Sequence, residues 1–255
     1  MSGPEVIEIA TGAAARAVFT TRRGGGSAGA LASLNLSADR GDDDEAVRAN
    51  RVALCAALGI DPDGVAMARQ VHGAGVREVE GDDDRGRFAG ALRGWPESDA
   101  LVTAEPGRGL MVLGADCLPI LLWRRDTPRV AAAHAGWRGL VAGVVERAVD
   151  ALGAPGETGA AVGPGIGPCC YPVSAEVRER FAARFGAGVV RGEAVDLAAA
   201  AARALAGAGV APAAITVVAA CTSCDAGDFY SHRRDGERSG RHGGIVWATG
   251  TAEAA

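Results

Sequence analysis

Three apolar, strand-like runs in this chain each stop at a residue able to bind a metal, and that shared ending constrains the fold most. The endings are Q-V-H-G (Gln70 to Gly73), G-A-D-C-L-P (Gly114 to Pro119) and A-H-A-G-W-R-G (Ala133 to Gly139), which place His72, Cys117 and His134. Two imidazoles and a thiolate fill three corners of a zinc tetrahedron and leave the fourth open for water or substrate. The separations are 117 − 72 = 45 and 134 − 117 = 17 residues, so nothing local forces the three together. Convergence requires neighbouring strands that end on one edge of a sheet, a common place for sites in α/β folds.

Taken singly, His72 reads as a turn histidine, Cys117 as a small buried apolar residue and His134 as a strand-end histidine. Taken together, with glycines clearing space around each and only four histidines in 255 residues, they read as one metal site. Asp116 precedes the cysteine and is positioned to accept a hydrogen bond from a ligand imidazole. Arg138 follows His134 at the start of a helix, where free N–H groups and a guanidinium suit a phosphate or a developing oxyanion.

Composition narrows the chemistry further. All 26 basic residues are Arg, which excludes a Schiff-base lysine, a pyridoxal-phosphate lysine and a P-loop lysine. Any anion must be held by Arg or by backbone N–H groups. A net charge of −5 argues against a nucleic-acid or anionic-membrane partner. The longest apolar stretch, Leu110 to Trp123, is broken by Asp116 and is too short to span a membrane. The acidic N-terminus lacks a signal pattern, so cytoplasmic residence is expected, and the six Cys read as thiols or ligands rather than disulfides.

The periodicities describe an α/β (α+β) chain, read as one domain over residues 1–255. Ala17 to Thr21 is a strand; Asp42 to Glu45 begin a helix with Val47, Leu54, Cys55 and Leu58 on its buried face and Gly59 at its end. Val65 to His72 and Val76 to Glu80 read as paired strands, and Gly81 to Glu97 as a mobile, polar surface loop. Strands follow at Asp99 to Thr103, Leu110 to Ala115, Leu118 to Trp123 and Val130 to Ala135. One amphipathic helix runs from about Trp137 through Leu152. A short strand, Gly159 to Val162, leads into G-P-G-I-G-P-C-C-Y. Ala175 to Arg184 and Val195 to Ala206 are helical, and Ile215 to Ala219 is a strand. Pairing order does not follow from this pattern.

Other motifs compete for a role. Cys221-Thr-Ser-Cys224 has zinc-knuckle spacing but no second pair at short range, so it reads as structural or as a substrate edge. Cys169-Cys170 reads as packing beside Pro168. Gly163 to Pro168 is a weak dinucleotide motif but a plausible backbone-rich loop near a ligand. The tail segment from Asp228 to Gly244 carries His232, Arg233, Arg234, Arg241 and His242, which reads either as a solvated loop or as a platform for a base and a phosphate.

These islands resemble one family, variously called laccase-domain, multicopper polyphenol oxidoreductase, purine nucleoside phosphorylase and peptidoglycan editing factor. The resemblance rests on T-x-R-x-G-G-x-S with S-L-N-L, Asn50-Arg51, Q-V-H-G, S-D-A-L-V-T, A-D-C-L-P, H-A-G-W-R-G, G-P-x-I-G-x-C-C-Y and S-H-R-R-D-G, and covers nearly the whole chain. One departure is E-S-D-A-L at Glu97 to Leu101, where D-A-D-A-L is expected. The resemblance implies a single-domain sandwich of mixed β-sheets flanked by helices, similar to a cysteine-hydrolase superfamily, and puts zinc on His72, Cys117 and His134. A single copper fits the same ligands, but four histidines cannot assemble the multicopper centre of a laccase.

The implied activity is phosphorolysis of adenosine, inosine and methylthioadenosine, with adenosine deamination on the same site. Asp116, Cys117 and Arg138 are then the catalytic candidates, and Asn35, Arg51, His232, Arg233 and Arg241 the substrate and phosphate candidates. Expected partners are a small-molecule nucleoside and phosphate, and a homodimer is compatible with the sequence. Two rivals stand beside it: a peptidoglycan-precursor hydrolase using a metal-free Cys117–His134 dyad, and a non-catalytic metal-binding or redox-partner protein.

Overall fold

A computed structural model describes residues 3–249; residues 1–2 and 250–255 of the expected single domain lie outside the described residues. In chain order the first strands are β1 (Val6–Ile9), β2 (Ala15–Thr20), β3 (Val65–Ala66), β4 (Val76–Glu78), β5 (Ala100–Thr103), β6 (Gly109–Gly114) and β7 (Leu118–Arg124). They are followed by β8 (Val130–Ala135), β9 (Thr158–Val162), β10 (Val190–Arg191), β11 (Ala194–Val195), β12 (Ile215–Val217) and β13 (His242–Ala248). The α-helices are α1 (Asp44–Leu58), α2 (Trp137–Ala142), α3 (Val144–Leu152), α4 (Ala175–Phe185), α5 (Leu197–Gly207) and α6 (His232–Asp235).

Two mixed sheets result, ordered β1-β2-β13-β6-β3 and β12-β9-β7-β8-β5-β4. The long apolar strands are buried on both faces, which explains their continuous rather than alternating hydrophobicity. In β7, Ile120 and Leu122 face α3, α4 and α5 through Val145, Val149, Phe181 and Leu205. Leu121 and Trp123 point the other way, into a layer shared with Phe19, Leu110, Val112 and Val246 of the first sheet. The outer face of that sheet is covered by Leu34, Leu36 and α1, which packs Leu54 and Cys55 against Met111 and Ile245. The architecture is therefore a sandwich of mixed sheets with helices on its outer faces.

Three expectations about local structure are corrected. Val65 to His72 and Val76 to Glu80 do not pair with each other: β3 runs parallel to β6 in one sheet and β4 parallel to β5 in the other. The helix after His134 is two helices, because Gly143 sits at φ 88°, a left-handed conformation that ends α2 and starts α3. The apolar periodicity continues across the break, which is why it reads as one helix. Finally, Gly81 to Glu97 is not a free surface loop. Phe88, Leu92 and Trp95 are buried, and the Phe88 carbonyl accepts a hydrogen bond from Arg51 Nη1 at 2.7 Å.

Candidate metal centre and its cavity

Antiparallel pairing of β7 with β8 supplies two of the three ligands. Leu118 lies opposite Ala135 and Pro119 opposite His134, so Cys117, one residue before β7, meets the far end of β8. Residues 115–117 cross from the first sheet to the second. That crossing is tight: a Cβ on Gly114 would stand 2.6 Å from the Cys117 carbonyl oxygen, and Asp116 takes φ 93°. Gly136, which follows β8, has the same constraint, since a Cβ there would stand 2.7 Å from Cys117 Sγ and 3.4 Å from His72 Cδ2.

The third ligand arrives on a loop held by side-chain hydrogen bonds. Gln70 Oε1 accepts from the Leu113 amide at 2.8 Å and its Nε2 donates to the Leu113 carbonyl at 2.7 Å. The loop then turns with His72 at φ 60° and wraps the buried carboxylate of Asp99. Amides of Val71, His72 and Gly73 donate to Asp99 at 3.3, 2.9 and 2.6 Å. The same carboxylate faces His134 Nδ1 at 2.9 Å. With Nδ1 engaged, Nε2 is the ring nitrogen left for a metal.

One donor atom each of His72, Cys117 and His134 lies within 4.8 Å of the others, and the two imidazole rings are 4.9 Å apart at 79°. Burial pushes the Cys117 thiol up, but the facing His134 and then His72 more than reverse this and leave it lowered. Burial pushes His134 down, and the Cys117 sulfur and Asp99 carboxylate reverse that as well, leaving it raised. The pair thus favours a thiolate. Two imidazoles and a thiolate converging on space that only glycine leaves open fit a zinc ion with a vacant fourth position.

All three ligands line a cavity of about 540 Å³, whose wall includes Trp95, Trp137, Tyr171 and several arginines. The guanidiniums are not equivalent. Arg51 is 2 % exposed, and its Nε, Nη1 and Nη2 donate to the Leu36 and Phe88 carbonyls, so it braces the wall rather than offering a phosphate site. Arg93 is held by Asp44 and the Ala38 carbonyl. Arg138 instead lies over Trp137, with its Cζ 4.5 Å from the ring centre. Arg233 lies 4.8 Å over Tyr171 and uses Nη1 on the Pro172 carbonyl. Arg241 uses Nη1 on the Ser239 and Gly240 carbonyls. Each of these three keeps further N–H donors for an anion.

The remaining expected site residues separate in the same way. Asn35 is fully buried; its Oδ1 accepts from the Arg241 amide at 2.9 Å, so it positions Arg241 from behind the cavity wall. His232 is exposed on the cavity wall, with Nδ1 3.1 Å from the Gly236 carbonyl. Asp116 borders the cavity but does not hold an imidazole. Its oxygens accept from the Thr222 hydroxyl at 2.7 Å and the Arg233 amide at 2.6 Å. The imidazole partner is Asp99, whose only sequence signal was its place in S-D-A-L-V-T. Tyr171 was also missed; burial, then the nearby Cys117, pushes its hydroxyl up to about 12, so it keeps its proton.

Two motif readings change. The glycines of Gly163 to Pro168 serve close packing: Gly163 lies against Phe19 and Pro119, and Gly165 against Leu118 and the Asp116 carbonyl. Cys221 and Cys224 do have a second pair, since Cys169 and Cys170 fold against them.

A two-sheet sandwich carries a candidate His₂Cys metal site at its strand ends, and His232 and His242 stand outside both donor clusters of the described residues. The chain belongs to the family described as multi-copper polyphenol oxidoreductase laccase, which it matches over residues 16–249. A purine nucleoside phosphorylase of Pseudomonas aeruginosa is 41% identical over 249 residues, covering 91% of this chain and 93% of its own. One from Deinococcus radiodurans is 42% identical over 238 residues, covering 90% and 86%. The crystal structure of YlmD from Geobacillus stearothermophilus superposes with a TM-score of 0.85 at 35% identity, covering 93% of each chain. Among the described residues, no helix is long and apolar enough to cross a membrane.

Proposed function

We propose that this protein is a zinc-dependent purine nucleoside phosphorylase acting on adenosine, inosine and methylthioadenosine, with adenosine deamination in the same cavity. The observation that carries the reading is the joining, in one cavity of about 540 Å³, of a His₂Cys donor set with three arginines that retain free donors. The volume suits a nucleoside plus phosphate. The relatives named purine nucleoside phosphorylase support the same reading.

Phosphorolysis needs a phosphate oxygen brought to the anomeric carbon while the glycosidic C–N bond breaks and its electron pair leaves with the purine. Arg138, Arg233 and Arg241 supply the positive charge and directed N–H groups that hold a phosphate dianion. The Tyr171 hydroxyl, protonated at neutral pH, donates a hydrogen bond to the departing base or to phosphate. Trp137 and Tyr171 offer flat faces for the purine. A zinc ion held by His72, Cys117 and His134 would supply Lewis acidity at the reacting centre, and the same ligands could accept copper.

A panel of adenosine, inosine and methylthioadenosine, each assayed with and without phosphate, tests this proposal. The expected products are free base and sugar 1-phosphate only when phosphate is present, with inosine from adenosine in its absence. No phosphate-dependent release of base from any of them rejects it.

A second reading rests on one observation: Asp99, His134 and Cys117 stand in the order of a carboxylate–imidazole–thiol triad. It would make the protein an amide hydrolase working on a cell-wall precursor. Activity that alkylation of Cys117 abolishes, and that chelators leave intact, selects this alternative.

A further inference from the structure

We propose that Cys169, Cys170, Cys221 and Cys224 form a second, structural zinc site, distinct from the His₂Cys centre and closed by four thiolates. This goes beyond the proposed activity, which does not use these residues.

The four sulfurs come from two turns far apart in sequence, yet all lie within 4.8 Å of one another. Cys224 Sγ stands 3.6 Å from Cys169 Sγ and 3.4 Å from Cys170 Sγ. Those separations are too long for a disulfide, where the sulfurs are about 2.05 Å apart. They approach the roughly 3.8 Å that separates two sulfurs each about 2.3 Å from a common tetrahedral centre. A carboxylate or imidazole is absent from the set, so its softness selects zinc over magnesium or calcium.

The backbone builds this geometry independently of the sulfurs. The Thr222 amide donates to the Gly165 carbonyl at 3.0 Å, which joins the two turns. Amides of Cys224 and Asp225 donate to the Cys221 carbonyl at 3.1 and 2.9 Å, folding Cys221 and Cys224 to one side. The Gly167 amide points at Cys221 Sγ from 3.2 Å, the kind of outer hydrogen bond that stabilises a metal-bound thiolate. A Cβ on Gly167 would stand 3.3 Å from Cys169 Sγ and from Cys221 Cβ, so a larger residue would crowd the sulfurs. Arg234 lies across the second turn, donating to the Thr222 and Ser223 carbonyls at 2.7 and 3.1 Å, and so fixes its path. Each thiol gives its proton to solvent as it binds, and no oxidant is needed.

The site has a purpose in the fold. Cys170 precedes Tyr171, and the Cys221 turn carries Thr222, whose hydroxyl holds Asp116 beside the Arg233 amide. A tetrathiolate zinc here clips the loop that carries Tyr171 of the cavity wall to the turn that holds Asp116. Cys169 and Cys224 are exposed, so the ion enters directly from solvent.

The test is metal content and cobalt spectroscopy on protein purified anaerobically without chelator. Wild type should hold about two zinc ions per chain, and Cys117→Ser and Cys224→Ser about one each. Cobalt added to the Cys117→Ser variant should give the strong thiolate charge-transfer bands and intense visible bands of a tetrahedral all-sulfur site. Cys224→Ser should lose those bands. If Cys224→Ser does not fold, the zinc count and cobalt spectrum of Cys117→Ser decide alone. Cys117→Ser protein without zinc and without the cobalt–thiolate bands, a disulfide among the four cysteines by mass, or iron in place of zinc overturns the proposal. Because none of these readouts is activity, a failure of the nucleoside reading is separable from a failure of this one.

Discussion

The Asp99 carboxylate stands 2.9 Å from Nδ1 of His134 while three amides of the His72 loop close around it. One buried side chain thereby sets the tautomer of one ligand and the path of the chain carrying another. Asp99→Asn should keep the fold but weaken zinc binding roughly 10- to 100-fold, the usual effect of losing an outer partner of a ligand histidine. Competition titration with a zinc-chelating dye reads this directly. Unchanged affinity would show that Asp99 is only a packing partner.

Arg138, Arg233 and Arg241 should behave alike under substitution, and Arg51 differently. Alanine at any of the first three should raise KM for phosphate more than it lowers kcat, because each removes donors for an anion. Arg51→Met should instead lower stability by roughly 3 kcal/mol, since it leaves buried carbonyls of Leu36 and Phe88 without donors. Urea melts and phosphate-dependence curves on the four variants separate the two behaviours. A phosphate-specific defect in a fully stable Arg51→Met protein would contradict the assignment.

His242 predicts how stability depends on pH. Burial first, then the charges of Arg241, Arg22 and Arg234, push its imidazole down to about 3. Phe229 and Tyr230 pack against the ring. An unfolded histidine takes a proton near pH 6.5, whereas the folded one resists until about pH 3. The unfolded state therefore binds more protons across this window, and stability falls as the pH drops through it. The slope from this group is about 1.4 kcal/mol per pH unit below pH 6.5. His242→Gln should flatten urea-derived stability below pH 6.5 relative to wild type; parallel curves would contradict it.

Removing a metal ligand should have two effects at once. Cys117→Ser should lose the zinc of the His₂Cys centre and abolish phosphorolysis. Thermal stability should fall as well, because an ion that binds only the folded chain stabilises it. Retained activity in metal-free Cys117→Ser protein would reject a role for the thiolate.

Much of this arrangement was legible because it depends on local patterns. β7, β8 and α1 show in apolar runs and in caps such as Gly59, and the three ligands show because each terminates a strand beside small residues. Strand partners were not legible: a period of two marks β3 and β4 as strands but not which neighbour each takes. The break at Gly143 was hidden because Leu140 and Val144 keep helical spacing across it. Asp99 lies 35 residues from His134 with no charge pattern to link them, and the four cysteines join only when two distant turns meet. Arg51 looked like an anion binder because burial, not composition, decides where its donors go.

The most direct measurement is release of ribose 1-phosphate from inosine and phosphate by protein stripped of metal and then reloaded with zinc. The account predicts that stripping stops release and that zinc restores it. Undiminished release by metal-free protein would contradict it.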